Sequence, residues 1–470
     1  MRGAVVVGLV ACGSSHHQPD ARIADSVLVD MTEVDARPDA VVDGMPDASV
    51  PGPVMITVYD STASPQPVAG MPVLFQDAQG TVVLETTTDA QGQATAVMAA
   101  GGSVSAKRPQ RSGVTGDLIY MFLGVKPGDH LLAGAPVTSP TNFPVTFQVP
   151  AYPGAYGYTL ATQCGTGSSI PTSVTTLNAQ LSCSPVDVYV RALDTTNQHN
   201  TLAAFYKTGV AVASGATIDL SGETYHGLQD VAVTLSNLPA NVNQLSADFW
   251  LVGSFPFPDQ RLTGGLASGQ FSTTVPFPDI TGLTLGALVE VRDQPQSGLP
   301  EAQELRQLVP YTTSYSLDVG AHAITWLTSV VGFNASTNSL FWFESAATPA
   351  DYTRIELFVT PTNGDPRPRI QLEVAGPYAH ASLALPQLSG DLATDNLKAT
   401  DSLATQKFYV ATVPGGWDAM RENVFNMIVW LPKLAVGETA VASAPSNGVL
   451  ARTHAASAGI SAHRPSTARH

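Results

Sequence analysis

Five histidines lie in the part of the chain that reads as folded, at positions 130, 199, 226, 322 and 380. They are scattered. His322, in "AHAITW", has no acid at ligand spacing, and His130 follows a turn and reads as a surface residue. The motifs HExxH, GxSxG, GxGxxG, CxxC and the Walker loop do not occur, so neither a metal ligand set nor a cofactor is expected. Glu301 and Glu304 stand three apart in "EAQELRQLV", a stretch that reads as a turn or two of helix. Their polar surroundings predict a solvated face, with none of the burial that gives a glycosidase its acid and base. No catalytic residue is therefore expected.

Aromatic residues are the other candidates. "SLFWFES" at 339–345 places Trp342 between Phe341 and Phe343, and "ADFWLVGSFPFPD" at 247–259 pairs Phe249 with Trp250. On a strand, Phe341 and Phe343 face one way and Trp342 the other. One face must be core. The surface alternative makes Trp250 and Trp342 stacking platforms for a sugar or polymer. Trp417 and Trp430 read as core or edge packing.

Three cysteines occur, at 12, 164 and 183. The first ends a short apolar run, "VVVGLVAC", preceded by Arg2. Ala4 to Ala11 is far short of the roughly 20 residues that span a bilayer, and sits at the lower limit of a secretory core. Leu9-Val10-Ala11-Cys12 resembles the bacterial lipobox. The resemblance implies a signal peptide over 1–11, cleavage before Cys12, and acylation of Cys12 by diacylglycerol and an amide-linked chain. Each buried CH₂ of such chains adds about 0.8 kcal/mol of anchoring. With Cys12 acylated, Cys164 and Cys183 remain, both in extended-looking sequence. A bond between them closes a loop worth about 3 kcal/mol by chain entropy, and an exported location permits it. Two buried thiols are the alternative.

Residues 12–52 carry aspartates at 20, 25, 30, 35, 39, 43 and 47, with Pro38, Gly44 and Pro46 among them. Like charges at a spacing of four repel on a helix, and proline breaks one, so this reads as a disordered acidic tether. Its "DA" and "PDA" steps resemble, in composition, the aspartate-rich stems of myxobacterial lipoproteins. The fixed short spacing of a calcium loop is missing.

The chain of 470 residues has a net charge of -16, and only 22 lysines and arginines. Few cations are available to neutralise phosphate, which argues against nucleic acid as a partner. Glycine (40) and proline (35) are abundant, favouring turns and short strands.

From residue 53 the pattern alternates. "VMITVYD" reads as a strand, "MPVLFQD" and "TVVLETT" flank a turn at 78–80, and "TDAQGQATAVM" turns at 89–92 into another strand. Gly70 to Gly80 and Thr88 to Ala94 resemble the transthyretin-like, carboxypeptidase regulatory-like and bacterial Ig-like sandwiches. The resemblance implies a small β-sandwich over 53–149, closed by "LIYMFLGVKPGDHLLAG" and "FPVTFQVP". Short apolar runs continue beyond it, and a weak echo links 238–253 to 333–346: each sets an Asn/Ser turn before an aromatic strand. The expected fold is all-β, with tandem β-sandwiches over 53–149, 150–318 and 319–450, then a disordered tail over 451–470. A single larger sandwich suits the same pattern. Blade motifs at a fixed period, which a propeller would show, do not occur.

These readings together predict an envelope lipoprotein, held in the outer membrane by its lipid anchor. Its sandwiches would serve binding, adhesion or envelope structure, with a polysaccharide or protein as ligand. The alternative is an extracytoplasmic peptidase or glycosidase with an accessory sandwich.

Overall fold

The computed structural model describes residues 50–60, 65–108, 116–134, 141–169, 175–194, 200–240, 242–253, 256–265, 269–293, 301–327, 331–345, 349–422, 424–425 and 434–445. The chain divides between Asp47 and Ala48, and the described residues all belong to the second unit. Cys12, the tether before residue 50, His199, Trp430 and the tail lie outside them.

The architecture is all-β. One sheet of twelve strands runs in the order Pro256–Gly265, Val242–Val252, Thr284–Asp293, Glu301–Pro310, Thr439–Pro445, Ser402–Thr412, Tyr352–Thr360, Ile370–Pro377, Asp117–Val125, Gly102–Arg108, Pro72–Gln76 and Val82–Thr87. A three-stranded sheet, Gln93–Met98, Gly52–Val58 and His130–Ala133, shares a core with its last strands. The strand Gln93–Met98 alternates buried and exposed residues, as a strand with one packed face must. Tyr352–Thr360, central in the large sheet, is buried along most of its length on both faces.

The turns predicted in the first module are present. Asp77 accepts the backbone N–H groups of Gln79 and Thr81, and Asp89 those of Gln91 and Gln93. These carboxylates hold the chain in the reversal that joins each pair of strands.

Three expectations are corrected. Phe143–Gln148 does not close the first module; it pairs with Thr176–Leu181 and Thr217–Asp219 in a separate ten-stranded sheet. Strand pairing also crosses the expected boundaries. Asp117–Val125 pairs in parallel with Ile370–Pro377, and Glu301–Pro310 pairs with Thr439–Pro445, so strands from all three expected segments share one sheet. Finally, "EAQELRQLV" is a strand, Glu301–Pro310, hydrogen-bonded on both sides. Pairing with two neighbours overrides a helical propensity that comes to only tenths of a kcal/mol per residue.

That strand also relocates Glu304, which is buried rather than solvated. It stands directly opposite Glu290 across the ladder. Two facing carboxylates would repel, and each has an arginine two residues along on its own strand. Arg306 Nε donates to Glu304 at 2.7 Å, and Arg292 Nε donates to Glu290 at 2.6 Å. Residues two apart share a strand face. The repeated Glu-x-Arg spacing is thus a strand signal that was present in the sequence.

Cys164 and Cys183 form a disulfide with a Cα–Cα distance of 5.9 Å. Cys164 sits in the turn between Gly157–Thr162 and Gly165–Ser169, and Cys183 follows Thr176–Leu181. The bond links the ends of neighbouring strands beside a separate core built around Phe147, Leu177 and Val188.

Candidate functional site

The two aromatic stretches adopt opposite arrangements. In Val242–Val252, Phe249 enters the core, 5.4 Å edge-to-face from Tyr315, while Trp250 is half-buried. Trp250 lies directly opposite Gly286 in the ladder. Its ring fills the place of a side chain there: a Cβ on Gly286 would come within 2.2 Å of the indole Nε1.

In the second stretch the tryptophan is inside. Trp342 is 1% exposed and its ring lies 5.2 Å from Phe408. It is therefore no surface platform. The exposed aromatics are its neighbours, Phe341 and, at 66% exposure, Phe343, whose centroids are 6.4 Å apart. The two phenylalanines and the tryptophan alternate as a strand requires, but alternation alone does not decide which face meets solvent.

A small sheet of Gly332–Asn334, Ser339–Phe341 and Ser382–Ala384 positions this patch. Phe341 lies opposite Gly332, where an added Cβ would approach the ring to 2.5 Å, and opposite Ser382 on the other side. Trp342 N–H continues the pairing by donating to Ala381 O at 3.0 Å. His380, in the turn that precedes Ser382–Ala384, has a mostly exposed side chain.

Behind the patch, Glu344 is nearly buried and accepts four hydrogen bonds. Trp342 Nε1 donates to one oxygen at 2.8 Å. Tyr378 OH at 2.7 Å, Ala381 N–H at 3.2 Å and His380 Nδ1 at 3.2 Å reach the other. Burial, and then the bond to Glu344, push the Tyr378 hydroxyl well above the ordinary tyrosine range. The hydroxyl is thereby kept as a donor. The carboxylate fixes the buried tryptophan, the Tyr378–Ala381 turn and the imidazole together, which gives the exposed rings a rigid backing. Glu344, Tyr378 and His380 are not legible as a group in the sequence because Glu344 lies 34 and 36 residues before the other two.

Elsewhere, buried and half-buried carboxylates are tied to cations. Asp129 holds Arg421 through two hydrogen bonds, of 2.5 and 2.7 Å. Arg367 is bound by Asp365 at 2.9 Å and Asp401 at 2.5 Å. Arg354 contacts Glu373 at 3.2 Å and donates to Val424 O at 2.6 Å. Burial raises the Glu373 carboxyl, and Arg354 opposes that rise. The Asp129–Arg421 and Asp401–Arg367 pairs join segments 292 and 34 residues apart, so these two acids act as cross-links within the fold. His130 meets Thr57 at 2.9 Å, away from the patch. Among the described residues, no group of three or more His, Cys, Asp or Glu side chains is placed to hold a metal. No described helix is long and apolar enough to cross a membrane.

No family model matches the chain, and no curated protein matches it. Parts of it align with solved bacterial structures. The Bacillus anthracis TIE protein aligns at 10% identity and a TM-score of 0.14, over 57% of this chain and 50% of that one. A streptococcal ancillary pilin aligns at 10% identity and 0.15, over 57% and 98%. The shaft pilin SpaA from Lactobacillus rhamnosus GG aligns at 10% identity and 0.13, over 36% and 96%. The aligned part thus spans about half the length of the TIE protein. At these TM-scores neither fold nor function transfers to this chain.

Proposed function

We propose that this protein is a non-catalytic component of the cell envelope. Acylated Cys12 anchors it to the outer membrane, the aspartate-rich segment holds the β-scaffold away from the surface, and the scaffold binds a polysaccharide or protein. The observation that carries this reading is the exposed Phe341–Phe343 pair on a sheet backed by buried Trp342 and four-fold-bonded Glu344. Exposed rings on a rigid support lose little conformational freedom on binding, and they stack readily on the apolar face of a sugar or against an apolar side chain. The disulfide supports export through an oxidising compartment.

Two measurements test the reading. The mature N-terminal peptide from native membranes is expected to begin at Cys12 and to carry acyl mass; an unmodified or differently cleaved terminus rejects the anchor. Binding to purified envelope polysaccharide and to immobilised envelope proteins is expected for the full chain and to be lost in Phe343→Ala. Equal binding by the variant rejects the patch.

A further inference from the structure

The twelve-stranded sheet ends on Val82–Thr87. Val82, Val83 and Leu84 are 44%, 41% and 36% exposed. Successive residues of a strand point to opposite faces, so exposure at three in a row means that the strand overhangs the packed core on both sides. The turn at Asp89–Gly92 leads from it into Gln93–Met98, which ends the three-stranded sheet and exposes Val97.

Natural sheets usually close such edges with proline, lysine or a cover. The opposite edge of this same sheet, Pro256–Gly265, carries Pro256, Pro258 and Arg261. Val82–Thr87 carries neither proline nor a cation. Its backbone is also aimed outward. Thr88 N–H donates to Met71 O, and the next residue, Thr87, stands opposite Pro72, which has no N–H. Antiparallel alternation then turns the N–H groups of Thr87 and Glu85 away from the neighbouring strand.

Charge selects the occupant. No lysine, arginine or histidine occurs between Pro38 and Ala106. The edge is instead surrounded by Asp77, Glu85 and Asp89, and Asp391 is brought in by its own N–H, which donates to Glu85 at 3.3 Å. A second copy, also at -16, would set acid against acid. We propose that Val82–Thr87 receives an extended segment of another protein as an added strand. That segment is β-branched and apolar at alternate positions, with lysine or arginine at its ends. This edge is separate from the Phe341–Phe343 patch, so either can fail without the other.

The test uses the full chain with its disulfide intact and a synthetic octapeptide that alternates threonine and valine between lysine ends. The peptide is expected to slow amide exchange at Glu85 and Thr87, and to bind less tightly as salt is raised. The Val83→Lys variant and a glutamate-ended peptide are each expected to weaken binding by about tenfold or more. Val83 is exposed, so the variant should fold; its circular dichroism and unchanged exchange at buried Ile119 check this. Absent protection, protection mapped elsewhere, or equal binding of the glutamate-ended peptide overturns the proposal. Protein-concentration-dependent protection of Glu85 and Thr87 without peptide also overturns it, in favour of a second copy.

Discussion

Phe249-Trp250 and Phe341-Trp342 are the same pair of residues placed in opposite ways. In the first, phenylalanine is core and tryptophan lies partly exposed over Gly286. In the second, tryptophan is core and phenylalanine lies over Gly332. Both strands cover a facing glycine with a ring, so the pairing device is shared. What differs is which of two adjacent residues meets that glycine. A shift of one residue exchanges the two faces of a strand, and with it exchanges a buried anchor for an exposed contact. The lesson is that a Phe-Trp pair announces a strand and a packed face without saying which ring is packed.

The largest effect is expected at the buried Trp342. Trp342→Ala removes a fully buried ring and one of the donors to Glu344, and should cost about 3–5 kcal/mol in urea unfolding. Trp250→Ala, at a half-buried site, should cost about 1 kcal/mol. Similar costs for the two would contradict the assignment of inside and outside.

Glu344→Gln comes next. It weakens bonds to a charged acceptor, at about 2 kcal/mol. It also separates the two tyrosines that back these strands. Burial alone raises the Tyr315 hydroxyl, whereas Tyr378 is raised by burial first and then by Glu344. A folded-state value above the unfolded one contributes stability that is full below the ordinary tyrosine value of about 10 and is lost as pH rises through the folded value. Both tyrosines should therefore ionise late in an alkaline titration followed by tyrosinate absorbance. Glu344→Gln should bring only Tyr378 down.

Gly286→Ala should cost about 1–2 kcal/mol by displacing the Trp250 ring, with a shift in its fluorescence. The smallest stability change, within about 0.5 kcal/mol, is expected for Phe343→Ala. Loss of ligand binding with unchanged stability is the signature that separates a contact residue from a packing residue.

Much of the local structure was determined by sequence alone. Alternation of apolar residues gave the strands, because a half-buried strand has a period of two. Asp77 and Asp89 gave the turns, because their carboxylates satisfy backbone N–H groups within four residues. A bond between Cys164 and Cys183 was one of the two readings their extended sequence left open, and the structure forms it. Even the misread strand at Glu301–Pro310 left a trace in its Glu-x-Arg spacing, which suits a period of two.

Tertiary structure alone decided the rest. Pairing of Met121 with Val374, or of Leu305 with Val441, joins residues more than a hundred positions apart. Nothing in a single strand's pattern encodes its neighbour, since every half-buried strand offers the same backbone donors and acceptors. The gathering of Glu344, Tyr378 and His380, the burial of Trp342 and the open edge at Val82–Thr87 all depend on that choice of partners. Residue type sets what a side chain can do; the order of strands in the sheets sets which side chains meet water.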